Sequence, residues 1–122
     1  MNAKVVKVGE RHPQTVQTSG MRREEAFDSG ELWAGVAHTD PKTLSGWHHH
    51  GDHESAIYVL SGRIRIECGP GGRTVLDAGP GDFLFIPARE IHREGNPIDQ
   101  MSEIVVVRAG QGEVVVNVDR PE

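Results

Sequence analysis

The segment Gly46-Trp47-His48-His49-His50-Gly51-Asp52-His53-Glu54-Ser55 gathers four histidines and a glutamate into one short stretch. A second histidine-bearing segment, Pro87-Ala88-Arg89-Glu90-Ile91-His92, lies about forty residues downstream. His48 and His50 are two apart, so on an extended strand both imidazoles leave the same face. His92 joins them only if a distant strand folds alongside. Two imidazoles at strand spacing and a third from elsewhere are a natural shell for a divalent transition metal, with iron, manganese, nickel, zinc and copper as the ions that suit it.

The elements that must position these residues read as short strands and turns. Val5, Val6 and Val8 suggest a first strand over 4–8. Thr18 or Ser19 could cap a short helix over 22–27, ended by Gly30. Strands are then expected over 31–39, through the histidine segment, and over 56–60, 63–68, 74–76, 83–86, 104–107 and 114–118. Arg63-Ile64-Arg65-Ile66-Glu67-Cys68 alternates, with Ile64, Ile66 and Cys68 inward. Ser61-Gly62 and Gly79-Pro80-Gly81-Asp82 read as turns. The segments 56–60 and 83–86 are apolar on both faces, and Phe83 and Phe85 are expected in the core. An antiparallel sheet usually leaves one face to water. Covering both faces calls for extra strands from the termini or a second subunit, and a homodimer is expected.

A chain of 122 residues is sized for one domain with its own core, here 1–122, with a strand and short helix in 1–30 and a barrel over about 31–118. Glycine and proline, 15 and 7 residues, suit many turns. A net charge of −5 argues against a nucleic-acid partner. Cys68 is the single cysteine, so no internal disulfide forms; it reads as a small core residue. No apolar run reaches the length of a signal peptide or a membrane span, and a cytoplasmic protein is the expectation.

The spacings resemble the cupin superfamily of double-stranded β-helix (jelly-roll) barrels. Its first motif runs glycine, five residues, His-x-His, three or four residues, glutamate, six residues, glycine. Its second runs glycine, five residues, Pro-x-Gly, two residues, histidine, three residues, asparagine. His48, His50 and Gly62 match the first; Gly81, Pro87, His92 and Asn96 match the second, with Arg89 where glycine is usual. The resemblance implies an all-β barrel with a metal inside, bound by His48, His50 and His92. Counted back from Gly62, Ser55 stands at the glutamate position, and Glu54 is one residue early. If the strand is regular, His53, Ser55, Ile57 and Val59 face inward and Glu54 outward. His53 is therefore favoured over Glu54 as fourth ligand. A bulge at Gly51-Asp52 would reverse the choice. A shell of three histidines without a fourth protein ligand also remains open.

His49 should point away from its neighbours, and His38 suits a core or surface role more than the pocket. An all-histidine shell would keep the full metal charge and favour small anionic ligands. Two function classes follow. One is a metal-dependent dioxygenase or isomerase acting on a small oxygenated molecule. The other is a non-catalytic barrel that binds or senses a metal and a small ligand. A general base would separate them; Glu54 leads, ahead of His38 and Glu94.

Overall fold

The structure is a computed structural model that describes residues 2–14, 18–112 and 114–122. Among the described residues twelve strands follow in order: β1 (His12–Pro13), β2 (Met21–Asp28), β3 (Leu32–Thr39), β4 (Thr43–Leu44), β5 (His48–His49), β6 (Glu54–Ser61), β7 (Ile64–Cys68), β8 (Thr74–Ala78), β9 (Phe83–Ile86), β10 (Arg93–Asn96), β11 (Ser102–Ala109) and β12 (Val116–Asn117). Six form one sheet in the order β1-β2-β3-β11-β6-β9. Four form a second, β4-β10-β7-β8, and β12 pairs with β5. The ladders are antiparallel.

Alternation along the strands builds the core. Ile57 and Val59 on β6, Ile104 and Val106 on β11, and Ile64, Ile66 and Cys68 on β7 bury their side chains in one cluster shared by both sheets. Each fully buried Ile or Val of this kind contributes roughly 1.5–3 kcal/mol. The β6–β7 turn is held against β11 at Gly62, whose φ is 77°. A Cβ there would lie 2.8 Å from the Ser102 Cα. Ser102 Oγ fixes the turn by accepting the Arg63 N–H at 2.8 Å and donating to the Arg63 carbonyl at 2.6 Å.

Three expectations are corrected. Residues 22–27 are not a helix; they belong to β2, and the only helical turns among the described residues are the short 3-10 segments Val8–Glu10 and Pro70–Gly72. The run Arg22-Arg23-Glu24-Glu25 has helical propensity, but β2 pairs with β3 on one side and β1 on the other, and ladder pairing overrides propensity. Residues 4–8 form no strand; the first is β1. Phe83 and Phe85 are not core. They are 75% and 60% exposed because β9 is the sheet edge and its parity turns Leu84 and Ile86 inward instead.

Candidate metal centre

His48 and His92 are brought together by backbone pairing. Each donates its N–H to the other's carbonyl at 2.9 Å. His50 lies just beyond β5, and Glu94 lies on β10 two residues after His92, on the same face by parity. All four side chains are buried, and one potential ligand atom from each lies within 4.8 Å of the others. The three imidazole centroids are 4.5–5.0 Å apart.

The second nitrogen of each ring settles which atom faces the centre. His48 Nδ1 lies 2.9 Å from the Gly46 carbonyl, His50 Nδ1 2.6 Å from that of Val114, and His92 Nδ1 2.8 Å from that of Glu90. A carbonyl only accepts, so each Nδ1 carries the proton and each Nε2 presents a lone pair. His48 Nε2 and His92 Nε2 are buried with no hydrogen-bond partner. His48 Nε2 sits 3.5 Å from Glu94 Oε1, so two electron-rich atoms face each other. A cation between them resolves that arrangement. The carbonyl contacts fix tautomer and ring orientation as metal-bound imidazoles require.

The electrostatics agree. Burial pushes the His50 imidazole down to about 3, helped by Arg108 and His92 and opposed by Glu94. His92 is lowered for the same leading reason, with His48 adding to it. Both rings are therefore neutral at neutral pH, the state a metal needs. Burial alone would raise the Glu94 carboxyl, but His48, His92 and Arg23 outweigh it and hold the group well below the ordinary carboxylate range. The donor set is then three neutral imidazoles and one carboxylate, which suits a first-row divalent ion.

The remaining candidates lie elsewhere. His53 is buried, but its Nδ1 donates to the His50 carbonyl at 3.0 Å and it stands outside the four-residue group. Gly51, with φ 59°, begins a turn closed by the His53 N–H on the His50 carbonyl at 3.1 Å. Strand parity cannot be counted across that turn, and this is why His53 does not follow His50 into the cluster. Glu54 is exposed and also outside the group, whereas Ser55 is buried. His49 turns away and accepts the Gly51 N–H at 3.0 Å. His38 pairs with Glu103 at 2.8 Å at the surface. Glu94 was the member of the group hardest to see in the sequence; the signal was its i+2 spacing from His92.

The cupin domain model matches residues 35–108, which contain the whole cluster. The chain belongs to the cupin family. No protein with a curated description matches it. Among solved structures, the polyketide cyclase RemF from Streptomyces resistomycificus is similar at TM-score 0.80 and 23% identity, over 99% of this chain and 89% of the other. KdgF from Halomonas sp. is similar at 0.74 and 20%, over 91% and 96%. A mutant of the Bacillus subtilis oxalate decarboxylase OxdC is similar at 0.73 and 17%, over 91% of this chain and 31% of the other. At these identities the likeness is one of fold.

This cupin departs from its family pattern at two glycine positions, and the backbone keeps the glycine conformation at both. Lys42, six residues before His48, has φ 52°, and Arg89 has φ 63°. Side chains rarely adopt such values. At Arg89 compensation is visible: its N–H donates to the Gly51 carbonyl at 2.9 Å, and its guanidinium meets Asp52 at 2.6 and 2.9 Å. These contacts tie the second motif to the turn after His50.

Proposed function

We propose that this cupin holds one divalent transition metal on His48, His50, His92 and Glu94, and is a metal-dependent enzyme of dioxygenase or isomerase type acting on a small anionic molecule. The observation that carries the proposal is the pair of orphaned, buried Nε2 atoms of His48 and His92 converging on the Glu94 carboxylate. A bound metal would supply Lewis-acid polarisation and a template for substrate oxygens. Around it, the carbonyls of Gly46, Val114 and Glu90 orient the three rings, and the barrel wall of Ile and Val limits water. His53 is the group we assign to proton transfer. Its Nδ1 is committed to a carbonyl, so Nε2 bears the lone pair, and the ring lines the adjoining cavity.

The similar structures support the chemistry without fixing it. One is described as a polyketide cyclase, and the Bacillus subtilis oxalate decarboxylase is described as having Mn(II) centres. Manganese therefore stands beside iron, nickel, zinc and copper as an ion to test. Metal analysis of protein purified without added metal comes first. Oxygen uptake by the iron-loaded protein over diketones, catechols and thiols, with NMR detection of isomerised products, then tests catalysis. Metal retention with no turnover in either assay would favour the non-catalytic binding barrel.

We also propose a homodimer, with the second copy covering the edge strand β9. Phe83 and Phe85 are exposed there, and Tyr58 packs against Phe83 at 4.8 Å between centroids. Light scattering should give twice the chain mass, and Phe83→Ser/Phe85→Ser should give a monomer. A monomeric parent protein at micromolar concentration would contradict this. None of the described helices is long and apolar enough to cross a membrane.

A further inference from the structure

Two strands each turn an arginine into the barrel. Arg23 follows Met21 on the inward face of β2, and Arg108 follows Ile104 and Val106 on β11. They are only 6% and 4% exposed. Neither is fully engaged. The Nε of each is buried without a partner. Arg23 Nη2 reaches Thr18 Oγ1 at 3.3 Å and stands 3.8 Å from Glu94 Oε1. The Arg108 guanidinium lies 5.3 Å from the Trp33 ring centroid. Ser55 is the ladder partner of Arg108, and its buried Oγ is also unpartnered.

Arg23 and Arg108 border one cavity of about 220 Å³, lined also by Trp33, His53 and Val114 among others. Its walls touch the metal-ligand cluster at three points: Arg23 on Glu94, the Val114 carbonyl on His50 Nδ1, and His53 on the His50 carbonyl. At roughly 30 Å³ per water it has room for about seven waters, the scale of a small metabolite. Charge is out of balance. Among the described residues the buried charged side chains are Arg23, Arg108 and Glu94, so two positive charges face one negative, an excess of +1. A divalent cation raises the excess to +3. Buried charge without a counter-charge is costly. Asp28 and Glu31 lie at the cavity rim but are exposed, where water screens them.

We propose that Arg23 and Arg108 are a recognition pair for the carboxylate of a small 2-hydroxy or 2-oxo acid, bound in this cavity with its second oxygen turned toward the metal-ligand cluster. A planar guanidinium fork offers paired N–H donors that match a planar carboxylate, and the Trp33 ring centroid lies 5.3 Å from the Arg108 guanidinium. The second-oxygen contact rests on the metal-centre reading; the arginine–carboxylate contact stands without it.

Glycolate is the probe, with glycolamide as its neutral counterpart and inorganic phosphate as the competing anion. Calorimetry and thermal shift on metal-free and metal-loaded protein should show glycolate binding at least ten-fold tighter than either. Arg108→Gln should weaken glycolate at least ten-fold while metal content is retained. Arg108→Lys should also weaken it, because an ammonium keeps the charge and loses the fork. Equal affinity for glycolate and glycolamide, tighter binding of phosphate, or unchanged glycolate affinity in Arg108→Gln would overturn the proposal. If the Arg108 variants do not fold, the glycolate–glycolamide comparison on the parent protein decides alone. Glycolate binding by protein that takes up no metal would leave the arginine pair standing and remove the metal reading. Metal uptake with no glycolate response would do the reverse.

Discussion

Glu94→Gln removes the single buried carboxylate among the described residues while nearly keeping its volume. Glu94 Oε1 lies 3.8 Å from Arg23 Nη2, with both side chains almost fully buried. At that distance, with an effective dielectric of about 20, the attraction is about 4 kcal/mol. Removing one partner of a buried pair costs ~3–5 kcal/mol, because the other charge is left uncompensated. Arg108 adds to the penalty, since the carboxylate also offsets its charge. For a chain of this size total stability is roughly 6–18 kcal/mol, so the loss is a large share. Urea denaturation should show stability falling by ~3–5 kcal/mol, and the melting temperature should drop by about 10–20 °C. Arg23→Met in the same background should recover part of the loss, because the two changes couple through one contact. A variant that melts within about 2 °C of the parent would refute the reasoning: Glu94 would then not be the charge that balances this interior.

Stability of the metal-free protein should depend on pH through His50. Its folded value of about 3 lies below the ordinary 6.5, so the unfolded state binds the proton first. The contribution is present in full above about pH 6.5 and is lost progressively as pH falls toward the folded value. Between about pH 7.5 and about pH 5.5, above the carboxylate range, His50 alone should cost ~1.4 kcal/mol, with His92 adding in the same direction; thermal melts flat across that interval would count against the buried neutral imidazoles. Lys42→Gly should stabilise by ~0.5–1 kcal/mol, because relief of the left-handed backbone, ~1–2 kcal/mol, exceeds the added chain entropy of glycine. A loss of stability in chemical denaturation would show that Lys42 has contacts outweighing its backbone conformation.

Much of the barrel was legible because its strands alternate. Ile64, Ile66 and Cys68 read correctly as inward from the pattern alone, and Gly62 and Asn96 marked the two motifs. The N-terminal region was misread because propensity in 22–27 is local, whereas its strand depends on β3 and β1. The histidines were legible from spacing, since His48 and His50 need only one extended segment. Glu94 and the arginines were hidden for a common reason. A charged residue at an inward parity normally argues for an exposed face. Only the fold shows that Arg23, Glu94 and Arg108 meet inside and offset one another. Counting from His50 to His53 failed at Gly51, where a turn breaks the period of two.

The central claim is that His48, His50, His92 and Glu94 hold a metal. Elemental analysis after equilibration with manganese, iron or zinc and removal of excess ion tests it most directly. The parent protein and His53→Ala should each carry close to one ion per chain. The double variant His48→Ala/His92→Ala should carry almost none, and Glu94→Gln should lose most of its metal. Full occupancy in the double variant, or metal lost from His53→Ala but kept by Glu94→Gln, would contradict the account.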